Sequence, residues 1–480
     1  MNIKLKKIDA IIIIAMIVIA GTIFFQFNVL PEKEKTRIPS IQFSQDTEKR
    51  TLTVKSFSDT LLWNDFEIIG KCDTSDLGEY VTKGDKINYC SGILQVIHKS
   101  TKVEIGNWTF PPEPELPYSI LLPNEKDVSP QDEGVHFKSI INTREWWYFT
   151  AVFSNDCELP GWVVTIAFCH LAWGDLKLTL KPDVMVITLQ SPNGEKYGGM
   201  INKKRGGILG AIGLLTLDAK TPGVDLKYGK SWAKGVYPDW HVHAEDEDID
   251  EKNEIVIDLD FFATSSPLWI HSGRLIDMGE GKIANYVFTG CKVEGKVKIN
   301  NLEFKVKGTG HHEHSWSPGF LQFSIKGWDW CYFVLDNGWT IYYTNYYLTR
   351  QIISAETTKI NPLTVVIIIT NDGKKITKLE NVDVTVEKPD KLFVLLKIPV
   401  DLGINAKPKA LSQPLLKSYN IKLELDSSAK NTYEKIWKFP TYVGMKIGLY
   451  TVKGIITWTD GIEQKVNLKG TGSVWFMRSF

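Results

Sequence analysis

The chain opens with a single long apolar run and then settles into short alternating stretches. Ala10 to Phe25 is interrupted only by Thr22, and with the continuation Gln26 to Leu30 it reaches the length of a bilayer-spanning helix. Lys4, Lys6 and Lys7 precede it, and Ala20-Gly21 offers only a weak cleavage site, so an uncleaved signal anchor is expected over 10–30 behind a cytoplasmic tail at 1–9. Lys33, Lys35 and Arg37 match the preceding lysines in number, so charge alone does not orient the segment. A short tail before a long domain favours a single-pass protein of the cell membrane with its bulk outside the cytoplasm. From about residue 38 the period is two. Runs such as Thr51 to Val54, Phe66 to Ile69, Ile93 to Ile97 and Val103 to Ile105, separated by turn signals such as Gly84-Asp85, predict a small β-sandwich over 38–110. Cys72 and Cys90 lie in it, as a disulfide or as a free pair. Six prolines between Pro111 and Pro130 predict a linker without regular elements over 111–133.

The rest of the chain is strand-like throughout, with no long amphipathic helix, and it carries an internal repeat. Glu145-Trp146-Trp147-Tyr148-Phe149 is echoed by Asp329-Trp330-Cys331-Tyr332-Phe333, and Lys307-Gly-Thr-Gly310 recurs as Lys469-Gly-Thr-Gly472. Each copy opens on an acid-Trp strand and closes on what reads as a Gly-Thr-Gly turn. The copies have the size of an up-and-down barrel, which removes its sheet edges by closing on itself. The expected fold class is therefore all-β: two tandem lipocalin-like antiparallel barrels, 134–326 and 327–480, preceded by the small sandwich and one transmembrane helix.

Composition narrows the function classes. With 56 basic and 56 acidic residues among 480, no net field steers nucleic acid, and nucleic-acid binding is excluded as an expectation. Six cysteines are too few for a disulfide scaffold. Sixteen tryptophans, clustered as at Trp146-Trp147 and Trp328-Asp-Trp330, predict large apolar walls.

Three segments in order, Glu145 to Phe149, the Gly-Thr-Gly-His-His-Glu-His-Ser-Trp run from Gly308 to Trp316, and Gly327 to Gly338, resemble the carotenoid hydratase group, the hydroxyneurosporene synthase and AttH-like family. That resemblance implies tandem lipocalin-like barrels over about 134–480 and, in the hydratases, addition of water across an isolated isoprenoid double bond with no cofactor. The family's His-x-Trp falls on His314 and Trp316, and its Tyr-x-Asp falls loosely on Tyr343, where the second acid position is held by Asn345. An amide cannot donate the proton that a carboxylic acid would.

Hydration of an unactivated alkene needs a carboxyl kept neutral by desolvation and aromatic faces that tolerate a cation. Catalytic candidates are thus His314, Trp316, Tyr343 and an acid at Asp329 or Glu145; ligand-binding candidates are Trp146, Trp147, His312, Trp328 and Trp330. If the segment is a strand, alternation sets His312 with His314 on one face and His311 with Glu313 on the other. A bland alternative makes the same residues a barrel-closing polar cluster in which Glu145 pairs with an arginine such as Arg274. His241 and His243 have the same spacing as His312 and His314 and permit a four-imidazole metal site, but no metal and no cofactor are expected. Cys169-His170 lacks the turn of a thiol nucleophile and reads as a cavity-lining pair. The expectations are a membrane-tethered protein taking an apolar isoprenoid or lipid, as a cofactor-free hydratase, as a carrier or sensor, or as a structural surface protein.

Overall fold

A computed structural model describes residues 39–479 except 59, 75–76, 113–114, 137–142, 171–182, 200–216, 250–252, 271–275, 278–281, 319–324, 349–363, 371–372, 393–395 and 438–442. The expected tail and anchor over 1–30, and Arg274, lie outside the described residues. No helix among the described residues is long and apolar enough to cross a membrane. The chain divides into two compact units, Met1–Glu115 and Leu116–Phe480.

In the first unit the alternating runs pair as β1 (Ile41–Asp46), β2 (Thr51–Phe57), β3 (Phe66–Asp73), β4 (Lys86–His98) and β5 (Val103–Phe110). The order is β1-β2-β4-β3, with β5 also on β4. The long β4 serves both halves and folds them over a core of Leu52, Val54, Trp63, Ile87, Leu94 and Val96. Cys72 and Cys90 carry thiols on the adjacent β3 and β4. Burial, together with the neighbouring Cys72, pushes the Cys90 thiol up to about 12.

The proline-rich stretch holds two short helices, α1 (Pro123–Lys126) and α2 (Pro130–Glu133), where a structureless linker was expected. Both start on a proline, whose missing N–H costs nothing at a helix start, and the Ser129 hydroxyl caps the Asp132 N–H of α2. Indole N–H groups of Trp147 and Trp269 donate to the carbonyls of Glu133 and Asp127, which ties the stretch onto the following sheet.

That sheet begins with β6 (Thr143–Phe153), β7 (Val163–His170), β8 (Asp183–Gln190) and β9 (Lys196–Gly199). It continues through β10 (Asp218–Lys220), β11 (Val224–Tyr228), β12 (Ser231–Val236), β13 (Asp239–Glu245), β14 (Ile255–Ala263), β15 (Leu268–Trp269), β16 (Ile276–Asp277), β17 (Lys282–Ile299) and β18 (Leu302–Pro318). The ladder runs β10-β11-β12-β13-β14-β17-β18-β6-β7-β8-β9, with β15 and β16 on β17. Residues from far apart in this ladder, Leu226 and Val242 on one side and Ile166 and Met185 on the other, share one core, so the sheet curls around its own inner face. The second sheet contains β19 (Ile325–Leu335), β20 (Thr340–Leu348), β21 (Val365–Ile369), β22 (Ile376–Leu379), β23 (Asn381–Pro389) and β24 (Pro399–Lys407). After α3 (Pro414–Ser418) come β25 (Lys422–Trp437), β26 (Val443–Asp460) and β27 (Ile462–Ser479). It runs β22-β21-β20-β19-β27-β26-β25-β24-β23 around a core of its own. The molecule is all-β, with two curled half-barrels in tandem. Among the described residues neither ladder closes by a strand pair.

The two sheets meet back to back. Tyr148, Ala167, Val186 and Val287 from the first pack with Trp330, Tyr332, Tyr342, Ile367 and Trp475 from the second in a seam core. Tyr332 donates its hydroxyl to the Gly310 carbonyl, and the Ser473 and Thr165 hydroxyls sit 2.8 Å apart across the seam.

The repeat has a backbone explanation, but not the expected one. Lys307–Gly310 and Lys469–Gly472 lie within the long strands β18 and β27 and are not turns. A Cβ at Gly308 would stand 2.2 Å from the Val152 oxygen, and one at Gly472 would stand 1.8 Å from that of Tyr332. Glycine is kept there because the neighbouring strand approaches too closely for any side chain. The two copies also differ in register: Glu145 faces Trp316, whereas its counterpart Asp329 faces Phe476. The offset is two residues, which preserves the side-chain faces.

Candidate functional site

β18 divides its polar residues between two faces as alternation requires. His312, His314 and Trp316 point into the first sheet; His311, Glu313 and Ser315 point into the seam. Three fully buried carboxylates, Glu145, Glu313 and Asp329, therefore sit in three separate surroundings.

Inside the first sheet, His314 Nε2 lies 2.8 Å from Glu145 Oε1, and His314 Nδ1 lies 2.9 Å from the Asp132 carbonyl and 3.2 Å from the Tyr286 hydroxyl. His136 brings its Nδ1 to 3.0 Å from the same Glu145 oxygen, and its backbone N–H donates to both carboxylate oxygens. The imidazoles are clamped by indoles: Trp316 stacks on His136 at 3.8 Å and Trp147 on His314 at 4.5 Å. Desolvation alone would push the Glu145 carboxyl up; the hydrogen bonds and charges of His136 and His314 outweigh it and hold the group below its ordinary value. Burial lowers His314, and the opposing pull of Glu145 does not restore it. The surroundings of Glu145 thus favour its charged form, whereas the expected acid needs a neutral carboxyl. His312 lies deeper, stacked on Phe149 at 4.2 Å, and burial lowers it well below the imidazole range.

In the seam, Glu313 accepts from Trp330 Nε1 at 2.6 Å and from Asn285 Nδ2 at 2.9 Å, with His311 Nε2 at 3.4 Å. No lysine or arginine pairs with it among the described residues. Burial lowers His311, whose ring stacks on Tyr342 at 5.1 Å. His311 Nδ1 is buried without a hydrogen-bond partner. Tyr346 completes the group, its hydroxyl 3.3 Å from Asn285 Nδ2. At one end of the seam the partly exposed Trp146 and Trp328 stack 6.4 Å apart, and Trp328 meets Trp475 edge-on.

Asp329 does not join either group, contrary to the expectation that it serves His314. It points into the second sheet, where Arg478 Nη2 holds one oxygen at 2.6 Å and the Tyr347 hydroxyl the other at 2.6 Å. Asp329 and Arg478 thus form a buried ion pair of the second sheet, apart from His314. Tyr343 and Asn345 share this inner face, remote from His314 by being on the far sheet; Asn345 accepts the Thr364 hydroxyl. Trp328 and Trp330, whose side chains alternate with Asp329, face the seam instead. The expected ligand set is thereby divided, with Trp147 and His312 inside the first sheet and Trp146, Trp328 and Trp330 along the seam.

Other expectations separate as well. Trp240, Val242 and Ala244 take the inner face of β13, so His241 and His243 lie on its outer face, bonded to Asp260 and Asp258, and cannot join His312 and His314 around one ion. Cys169 faces the seam while its neighbour His170 bonds Asp183, and burial pushes the Cys169 thiol up to about 12, far from a thiolate nucleophile. The residues missed from the sequence are Glu313 as a lone acid, with Asn285, Tyr342 and Tyr346 around it, and His136. Alternation had already put Glu313 opposite His314; nothing local announced His136, which reaches the site from the proline-rich stretch.

That stretch also supplies Glu133, buried beneath Trp240 and accepting from its Nε1 and from the Tyr237 N–H. Desolvation raises its carboxyl above 4.5 despite these bonds. The folded state therefore binds the proton more tightly than the unfolded chain, and stability falls as pH rises from about 4.5 through the folded value, by at most ~1.4 kcal/mol per pH unit. Glu133→Gln removes this term. Thermal midpoints measured from pH 4.5 to 7 should fall less steeply in the variant; parallel curves would mean that Glu133 does not titrate there.

No protein-family model matches the chain, and no curated protein matches it. Among solved structures it is similar to an AttH-type protein from Nitrosomonas europaea, at 15% identity and a TM-score of 0.45, covering 75% of this chain and 98% of that one. It is also similar to kievitone hydratase from Nectria haematococca, at 11% identity and a TM-score of 0.46, covering 75% and 93% respectively. A third, CghA, has 11% identity and a TM-score of 0.46, covering 76% and 94%.

Proposed function

We propose that the chain is a membrane-tethered, cofactor-free hydratase for an apolar isoprenoid or lipid-like alkene, working in the seam between its two half-barrels with Glu313 as the acid. The observation that carries this reading is Glu313 itself, a fully buried carboxyl beside a buried imidazole, with no fixed cation among the described residues and walls of Tyr148, Trp330, Tyr342 and Tyr346. The ring faces around Glu313 would favour a passing carbocation. Glu313 delivers its proton to one alkene carbon; water adds to the other and returns a proton to the carboxylate. His311 Nδ1, buried without a hydrogen-bond partner, suits a polar atom of substrate or the attacking water. A segment at 10–30 in the bilayer would keep the site beside a pool of molecules that hardly dissolve in water.

A carrier that holds the same molecule unchanged is the second reading, favoured by Asn345 standing where the resembled hydratases have an acid. The full-length protein, extracted in mild detergent, is analysed for co-purifying lipid and then incubated with membrane isoprenoids. A product heavier by one water supports the hydratase; bound lipid with no mass gain leaves the carrier; absence of both a hydrated product and bound lipid overturns both readings.

A further inference from the structure

We propose that His136, Glu145 and His314 form a binding site for one divalent transition-metal ion of zinc's character, on the face of β18 opposite Glu313. Their donor atoms all lie within 4.8 Å of one another. The decisive feature is how His314 is held. Its Nδ1 faces the Asp132 carbonyl at 2.9 Å, and a carbonyl can only accept, so Nδ1 carries the hydrogen. The other ring nitrogen, Nε2, lies 2.8 Å from a Glu145 carboxylate oxygen. A positive centre shared by these two atoms closes that contact. A proton would serve, and so would a metal ion, for which the remaining details are already in place.

His136 Nδ1, 3.0 Å from the same oxygen, offers a third ligand atom once its proton is displaced. The His314 Nδ1–H donated to a backbone carbonyl is the outer contact that fixes the tautomer of metal-ligating histidines, and the His136 backbone N–H steadies the carboxylate in the same way. The rings are held in plane by Trp316 and Trp147. Ligands around tetrahedral zinc stand about 3.3 Å apart, given bonds of about 2.0–2.1 Å, so the two nitrogen–oxygen contacts need open by only a few tenths of an ångström. Two imidazoles with one carboxylate select zinc or a neighbouring first-row ion over calcium or magnesium, which take oxygen shells. The partly exposed His136 marks the approach from solvent.

The test uses the full-length chain in detergent, stripped with a chelator and titrated with zinc chloride by calorimetry, then loaded with cobalt(II) for its visible spectrum. One equivalent of zinc and the intense bands of four-coordinate cobalt are expected, with affinity weakened at least ~100-fold in His314→Gln and in His136→Ala. His136 lies outside the barrel strands, so its variant carries the test should His314→Gln not fold, as judged by near-ultraviolet circular dichroism. Absence of stoichiometric binding in the wild type, or full binding in His136→Ala, overturns the proposal. So does loss of binding in the double variant His241→Gln/His243→Gln, which would place the ion on the outer face of β13. Glu313→Gln should bind zinc unchanged, which keeps this result separate from the hydratase reading.

Discussion

Glu313→Gln is expected to lower the rate of water addition by about 10²–10⁴-fold, the usual contribution of a positioned general acid, while the protein stays folded and still captures its lipid. The substitution removes one ionisable proton and almost no volume. The Gln amide oxygen can keep the Trp330 indole bond, and its N–H₂ can turn toward Asn285, whose Oδ1 has no partner in the native seam. Folding energy should therefore change little, whereas proton delivery is lost entirely. Glu145→Gln and Asp329→Asn serve as comparators. Both remove buried carboxylates from the same chain, but Glu145 is held as an anion by imidazoles and Asp329 by a guanidinium, so neither should approach the loss at Glu313. The measurement is the yield of product heavier by one water, per molecule of folded protein. Full turnover in Glu313→Gln would move the acid elsewhere and remove the seam from the mechanism.

What could be read in advance followed from periodicity, and what could not depended on long-range partners. Alternation along residues 311–316 correctly divided the histidines and Glu313 between two faces, because a strand leaves a side chain no other choice. The acid-Trp repeat disclosed the duplication. It could not disclose the seam, because residues 329 and 330 look alike as members of a Trp-Asp-Trp cluster until the sheet fixes which face is the back. Asp329 seemed to belong with His314 by motif order, yet its surroundings are set by Arg478 at the far end of the chain. The Gly-Thr-Gly segments read as turns because glycine usually breaks strands; here it permits a close approach between them. His136 followed a run of prolines that suggested a linker, while two four-residue helices in that run carry its backbone to the carboxylate.

Arg478→Met should cost about 3–5 kcal/mol of folding stability, because it leaves Asp329 as a buried anion whose remaining contacts do not include that guanidinium. The guanidinium binds Asp329, donates to the carbonyls of Trp328 and Met477, and lies 4.0 Å over the Tyr347 ring, so little of it can be replaced by solvent. The double variant Asp329→Leu/Arg478→Met should recover most of that loss, since removing both charges also removes both desolvation penalties. Chemical denaturation of the three proteins, followed by tryptophan fluorescence, measures the difference; equal stability of the single and double variants would mean that Asp329 is neutral without its partner. The repeat gives this pair its meaning. Asp329 corresponds to Glu145 and Arg478 to Trp316, so the same strand ends hold an acid against imidazoles in one copy and against a guanidinium in the other. An imidazole can release its proton near neutrality and a guanidinium cannot. The same strand end is thus a histidine–carboxylate cluster in one copy and a buried ion pair in the other.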